Sequence, residues 1–409
     1  MKFAIAFLSA LALGLLFLPG TAQNIKPDSL SAQQNTSDII QPKHLGNHPL
    51  GIYMMRLESD FRTQPLSKKG FSIQWSSGNV WEPPVTGMIP TAESDRAYYN
   101  QIVWHERQNY YQAQPVPAES ISLSADAILK GLNISYYLPV SKSQELRFDL
   151  RAYLFTNGAF PFSTLTSDDA IEWFHSHIAG GEDPFARKIY GYNHLEMEYT
   201  DPSGKKLTKP ATNILIPGIE IHYSYFVPSG FLKQRHLHLQ VGAHLGINTT
   251  KYNPSSDIGV SLLLDKFFIL SQSSKLKISA GSGILVPAWI KWGDVVELTS
   301  RSQLSFFDGQ IAFEKRSKTN TRWEFFISYH QQSPYRNPKE MDYLILTGNR
   351  YVSHWHYALS HLYTTFSAWQ VGINMAKPNY TLSFFVSEDI KVNNAPDIQT
   401  GIQLSFPLN

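Results

Sequence analysis

From Gly70 onward, apolar and polar residues alternate with a period of two. In "GIEIHYSYF", Ile219, Ile221, Tyr223 and Tyr225 share one face, and Gly218, Glu220, His222 and Ser224 share the other. After "VPSGFLKQ" comes "RHLHLQVGAHLGI", with Leu237, Leu239, Val241, Ala243, Leu245 and Ile247 opposed to His236, His238, Gln240, Gly242, His244 and Gly246. A helix repeats its faces every 3.6 residues, so these segments are strands. The pattern predicts twelve of them, beginning near Phe71, Ser120, Glu145, Ile214, Arg235, Ile258, Leu276, Arg301, Arg322, Leu362, Tyr380 and Ile398. Short polar turns such as "SKSQ", "SQSSK" and "AKPN" alternate with long connections from about 82 to 119, 157 to 212, 289 to 300 and 331 to 360. Two further strand-like stretches, "YYNQIVWHERQNYY" and "KIYGYNHLEMEY", fall inside the long connections and read as hairpins standing above a membrane.

Short turns on one side and long loops on the other are the layout of a bacterial outer-membrane barrel. Alternation alone also fits a soluble sandwich, whose apolar face goes to a core. Three signals separate the two. "RHLHLQVGAHLGI" is longer than a soluble strand of about 5–6 residues and suits a tilted membrane span of ~9–11. Aromatics gather toward strand ends (Tyr223, Tyr225, Phe226; Phe384, Phe385; Trp289, Trp292), where a lipid interface would lie. Glycines on the polar face (Gly218, Gly242, Gly246, Gly372, Gly401) suit close approach inside a barrel. The expected fold is therefore all-β: an antiparallel transmembrane β-barrel of about 12 strands (10–14), a monomer with outer-membrane lipid around it.

The N-terminus adds location. Lys2 precedes an apolar run from Phe3 to Pro19, and Gly20-Thr21-Ala22 supplies small residues: a secretory signal peptide with cleavage after Ala22. Residues 23–49 are polar and rich in Ser, Gln, Asn and Pro, which predicts a flexible leader, and residues 50–409 form a single barrel domain. The chain has no cysteine, which excludes disulfides, thiolate metal sites and a cysteine nucleophile. A net charge of +2 gives no basic field for nucleic acid.

The chain ends on "TGIQLSFPLN". Gly401, Leu404 and Phe406 resemble the C-terminal signal that outer-membrane barrels present to the barrel-assembly machinery, which would capture such a strand by strand addition. Pro407 lacks a backbone donor, so pairing is expected to stop at Phe406.

The segment "GAFPFSTLTSDDAIEWFHSHIAGGEDPFARKIYGYN" resembles an uncharacterised family of Gram-negative outer-membrane proteins, known as a domain of unknown function. Its pattern falls on Asp168 and Asp169, on Trp173, Phe174 and His175, on Gly180 and Gly181, and on Arg187. "VSEDIKVNNAPDIQTGIQLSF" resembles the family's penultimate hairpin, and the likeness runs from about Pro49 to Phe406, with "PSGKKLTKPAT" departing from it. The resemblance implies the fold and the location and carries no known activity.

Four groups of residues carry candidate chemistry. "SDDAIEWFHSHI" (167–178) reads as a short loop helix folded over or into the barrel mouth; His175 and His177 face about 200° apart on it, so no metal site is expected. Arg147, Asp149 and Arg151 alternate on one strand, and Glu220, His222, His236, His238 and His244 on two others, all facing a lumen. In-register pairing across "PSGFLKQ" places His222 opposite His238 or Gln240, and Glu220 opposite Gln240 or Gly242. His330 and Ser333 invite comparison with outer-membrane lipid hydrolases, which need a base within reach of a serine. "RYVSHWHYALSHLY" reads as an interfacial girdle or loop hairpin. No cofactor is expected. The reading that follows is an outer-membrane barrel that binds or passes a small or lipidic ligand, with a lipid hydrolase or a soluble periplasmic β-rich binding protein as alternatives.

Overall fold

The computed structural model describes residues 37–46, 48–102, 117–158, 166–174, 176–177, 194–211, 213–347, 357–389 and 398–408. Fifteen strands occur among them. In chain order they are β1 (Gly70–Pro90), β2 (Ala118–Ser141), β3 (Gln144–Thr156), β4 (Glu196–Thr200), β5 (Lys206–Pro210), β6 (Gly218–Phe226), β7 (Leu237–Thr250) and β8 (Asn253–Ile269). They continue with β9 (Ser274–Lys291), β10 (Leu304–Arg316), β11 (Arg322–Gln332), β12 (Ile345–Thr347), β13 (Phe366–Lys377), β14 (Tyr380–Glu388) and β15 (Ile398–Pro407).

Twelve of these close into an antiparallel barrel, because β1 pairs with both β2 and β15. All twelve begin within five residues of the positions read from the alternation. The long-loop end has one exception, a connection of Lys251 and Tyr252 alone between β7 and β8. The outer wall is apolar: Ile73, Val260, Ile311, Phe325, Val371 and Phe384 are exposed large hydrophobics on the outward positions of their strands. Water would penalise such a belt, and lipid satisfies it. Gly372 and Gly401 face inward, where a Cβ would meet the rings of Phe326 and Phe385. Phe226 and Phe385 are therefore lumen residues, not members of an outer girdle.

Above the barrel, β1 and β2 keep running. Val85 to Pro90 pair with Leu123 to Ala118, so the connection expected from residue 82 starts as strand. β12 adds to the free side of β1, and β4 followed by β5 to the free side of β2, giving a five-stranded sheet over the long-loop end. Of the second expected hairpin, "KIYGYNHLEMEY", Glu196 to Tyr199 form β4, which pairs with β5 beyond that stretch, and 188–193 lie outside the described residues. The first expected hairpin is corrected in its described part: Tyr98 to Asn100 close a helix, Glu93–Asn100. The rest of it lies outside the described residues.

The main correction concerns the leader. Residues 37–46 and 48–49 do not trail into solvent. The chain enters the lumen at the short-turn end, rises to a 3-10 turn at Pro49–Tyr53, and descends to Leu66 before β1 begins. Ser37 and Thr63 are bonded where the two legs meet. The legs belong to no sheet, so the barrel wall must satisfy their backbone. Glycines on the wall make room: a Cβ on Gly131, Gly246 or Gly281 would strike Leu45, Met55 or Ser59 of this plug.

The plug turn and the upper sheet share one apolar core. Leu50, Ile52, Tyr53, Met54 and Met55 pack in the same cluster as Leu123, Met197, Tyr199, Leu207, Leu344 and Leu362. Five such side chains contribute on the order of 10 kcal/mol by burial. Arg336 reaches into this cap, with Nη1 2.6 Å from Glu297. Burial pushes the nearby Tyr199 and Tyr363 phenols upward, so they stay neutral.

β15 closes the barrel with Phe406 opposite Phe71, their ring centroids 5.7 Å apart, and Leu404 opposite Ile73. Pairing runs one step further than Pro407 alone would allow. Pro407 sits opposite Gly70, and Leu408 N–H donates to the Lys69 carbonyl at 2.7 Å. Phe406→Ala is expected to lower the heat-modifiable, outer-membrane-inserted fraction more than deletion of 407–409 does. Equal insertion of the two variants would make the Phe71–Phe406 closure dispensable.

Candidate functional site

The wall that faces the plug is polar, because inward positions of a barrel alternate with the lipid-facing ones. Its side chains take over the plug's backbone. Asp257 Oδ2 accepts Met55 N–H at 2.8 Å, Asp308 Oδ2 accepts Ser59 N–H at 2.6 Å, and Gln399 Oε1 accepts Leu45 N–H at 2.7 Å. In the other direction, Lys277 Nζ donates to the Phe61 carbonyl at 2.8 Å, Asn253 Nδ2 to Tyr53 at 2.8 Å and Arg151 to Met54 at 2.7 Å. A segment without a strand partner is thus paired on both sides.

An ion network crosses the middle of the lumen. Arg62 of the plug is fully buried, bonded to Asp60 at 2.7 Å and to both oxygens of Glu145, with its guanidinium 4.8 Å from the Tyr137 ring. Arg147 Nε lies 3.1 Å from Asp149 Oδ2, which Lys43 of the plug also approaches at 3.7 Å. Arg151 donates to Glu220. His222 Nε2 is 3.3 Å from Asp149 and its Nδ1 2.7 Å from His244 Nδ1, while His244 Nε2 meets Ser261 Oγ at 2.8 Å.

The predicted lumen cluster is therefore brought together in its larger part. Arg147, Asp149, Arg151, Glu220, His222 and His244 form one connected group. The register differs from expectation: His222 lies opposite His244, and Glu220 opposite Gly246. The physical reason is the turn after β6, where Gly230–Gln234 forms one helical turn capped by Ser229 and lengthens the connection. His238 faces Asp265 on β8, away from His222, and packs edge-on to Phe267. His236 stands one residue before β7 in left-handed backbone (φ 54°), at the short-turn rim.

Asp149, Glu220 and His222 place donor atoms within 4.8 Å of one another. Their charge is already matched by Arg147, Lys43 and Arg151, so the place of a cation is taken.

The loop helix exists as Asp168–Phe174, with Ser167 Oγ accepting Ala170 N–H at 3.3 Å. It does not fill the lumen: Asp169 and Trp173 are exposed, and Trp173 stacks on His177. His175 and Arg187 lie outside the described residues, as does most of "RYVSHWHYALSHLY". His330 and Ser333 are each engaged with a different partner. His330 faces the lumen with Nδ1 2.6 Å from Asp308, whereas Ser333 Oγ accepts Ser305 N–H at 2.9 Å beyond the end of β11.

Sequence reading missed Lys43, which lies in the polar leader, and Asp60 and Arg62, which lie between the leader and the first alternating strand, because no pattern there marks a residue as buried. It also passed over Glu145, Asp257, Asp308 and Lys277, whose signal was present: charged residues on the inward phase of long strands. Two spaces beside the plug are lined by described residues. One, among Lys43, His44, Arg56, Glu58 and Asp149, holds about 20 Å³, room for a water. The other opens at the short-turn mouth and measures about 490 Å³.

No family model matches the sequence, and no curated protein matches it significantly. Solved structures resemble it in fold. An outer-membrane channel from Pseudomonas putida F1 matches at 6% identity, covering 86% of this chain and 100% of its own, with a TM-score of 0.39. LpxR from Salmonella typhimurium matches at 7%, covering 83% and 100%, with a TM-score of 0.36. The KdgM porin in complex with disordered oligogalacturonate matches at 6%, covering 83% and 99%, with a TM-score of 0.30. The closed antiparallel barrel is established by the chain's own strand pairing, and likenesses of this extent carry no argument about its role.

Among the described residues, Arg62→Met leaves the buried Glu145 without a counter-charge and leaves Asp60 with only Arg147, at 3.6 Å. The expected destabilisation is about 3–5 kcal/mol. It is read as a lower temperature for loss of the folded band in unheated gels; an unchanged transition would show that the network is not structural.

Proposed function

We propose that this chain is an outer-membrane barrel that binds a small polar ligand from a closed resting state, with passage dependent on movement of the plug. The observation that carries this reading is the plug itself. It runs the length of the lumen, is fused at its turn to the apolar cap, and leaves a space of small-molecule size at the short-turn mouth. Ligand sites usually measure about 300–1,000 Å³, and the mouth falls in that range whereas the internal space does not. The charged lining favours a polar ligand over a lipid tail.

The membrane-level contacts of the plug support a movable element. They are hydrogen bonds and ion pairs, which exchange with water at small net cost because desolvation offsets most of the attraction. The cap end is held by apolar packing. Movement would therefore start at the short-turn end. Surrounding lipid, the assembly machinery and the monomeric state complete the proposal. The hydrolase reading is less favoured because His330 Nδ1 is taken up by Asp308 and Ser333 Oγ by Ser305 N–H, and the soluble reading leaves the apolar belt in water.

Planar-bilayer recording tests the proposal. The full chain is expected to show no steady conductance, and a variant lacking 37–66 is expected to conduct. Open channels in the full chain, or silence in both, would overturn it. Lipid hydrolysis that disappears in Ser333→Ala would instead favour the enzyme.

A further inference from the structure

We infer that the short-turn mouth binds a small multivalent anion carrying phosphate or carboxylate groups, and that this anion frees the start of the plug by taking Arg322 from Asp38. The inference rests on the plug-closed reading and names the ligand class and the release step.

The cavity is lined by Lys68, Arg316, Arg322 and Lys377, with Asp38 as the one acidic residue of the lining among the described residues. Four cations facing one carboxylate across about 490 Å³ form a field that favours anions. Asp38 is itself part of the plug, at the foot of its rising leg. Its Oδ1 lies 2.7 Å from Arg322 Nη2, and both side chains are partly open to solvent, at 39% and 22%. Arg322 has a second carboxylate neighbour, Glu314, but that group is 4.0 Å away and already 3.3 Å from Lys275. Asp38 is thus the exchangeable partner. A guanidinium offers a planar fork that phosphate or carboxylate oxygens take two at a time. An anion drawn in by Arg316 and Lys377 meets Arg322 on the side where Asp38 sits. The next attachments upward are neutral or polar, with Gln403 donating to the Ile40 carbonyl at 2.9 Å and Gln41 to Glu324 at 2.6 Å. Losing Asp38 therefore removes the rising leg's outermost charged tie to the wall and leaves Ser37 bonded to Thr63 of the plug's own descending leg.

The shared chemistry has two sources, a free solute or an anionic lipid headgroup at the rim, and the test separates them. The full chain has no cysteine, so Asn35→Cys carries a single nitroxide just ahead of the latch. In phosphatidylcholine nanodiscs at constant ionic strength, inorganic pyrophosphate is expected to bind by calorimetry and to mobilise the label. Mobilisation in phosphatidylglycerol nanodiscs without pyrophosphate would identify the headgroup as source. Asp38→Asn is expected to tighten pyrophosphate binding about threefold and to mobilise the label unaided; Arg316→Gln with Lys377→Gln is expected to weaken binding about tenfold or more. No binding in either membrane, or affinity and mobility untouched by Asp38→Asn, would overturn the inference. Conductance in the unmodified chain would sink the closed reading while leaving the anion site standing, so the two failures are distinguishable.

Discussion

A sheet closed at twelve strands encloses more room than its own inward side chains fill. That constraint governs the molecule. The space must be occupied, and the occupant must accept a polar wall, since the other face of every strand is committed to lipid. Residues 37–66 are that occupant. Their backbone has no strand to pair with, so aspartates, glutamines, a lysine and an arginine on the wall reach inward to it.

Magnitudes decide what holds the plug. Buried ion pairs come close to breaking even against desolvation, so the Arg62 and Asp149 networks fix the plug's position more than they secure it. The apolar turn under the cap supplies the larger favourable share. The protein is therefore tight at one end and ionically latched at the other, and any motion inherits that asymmetry.

Much of this was legible in the sequence, for a definite reason. Strand period, strand length and turn spacing are local properties, so the barrel emerged from them. Register across the β6–β7 turn was not, because Gly230–Gln234 coils and alters the reach of the connection. The discrepancy is an even number of residues, so His222 and His244 still face inward as read. The plug was hidden for the opposite reason. Its polarity, which normally signals disorder, is what a polar lumen demands. The one local clue was the apolar stretch "HPLGIYMM" inside a segment otherwise suited to solvent. The loop helix was found, with its place left between over and into the mouth, and its exposed Asp169 and Trp173 exclude the second: side-chain pattern gives a helix its faces and says nothing of which surface it lies on.

The glycines beneath Leu45, Met55 and Ser59 also bear on time. The plug precedes β1 in the chain, while the β1–β15 seam joins the two ends of the barrel. Once that seam is shut, an apolar turn would have to travel a charged corridor fitted to its own narrower legs. Enclosure before closure avoids that journey. The wall then assembles around a cargo already in place, and the last hydrogen bonds of the barrel seal its contents as well as its edge.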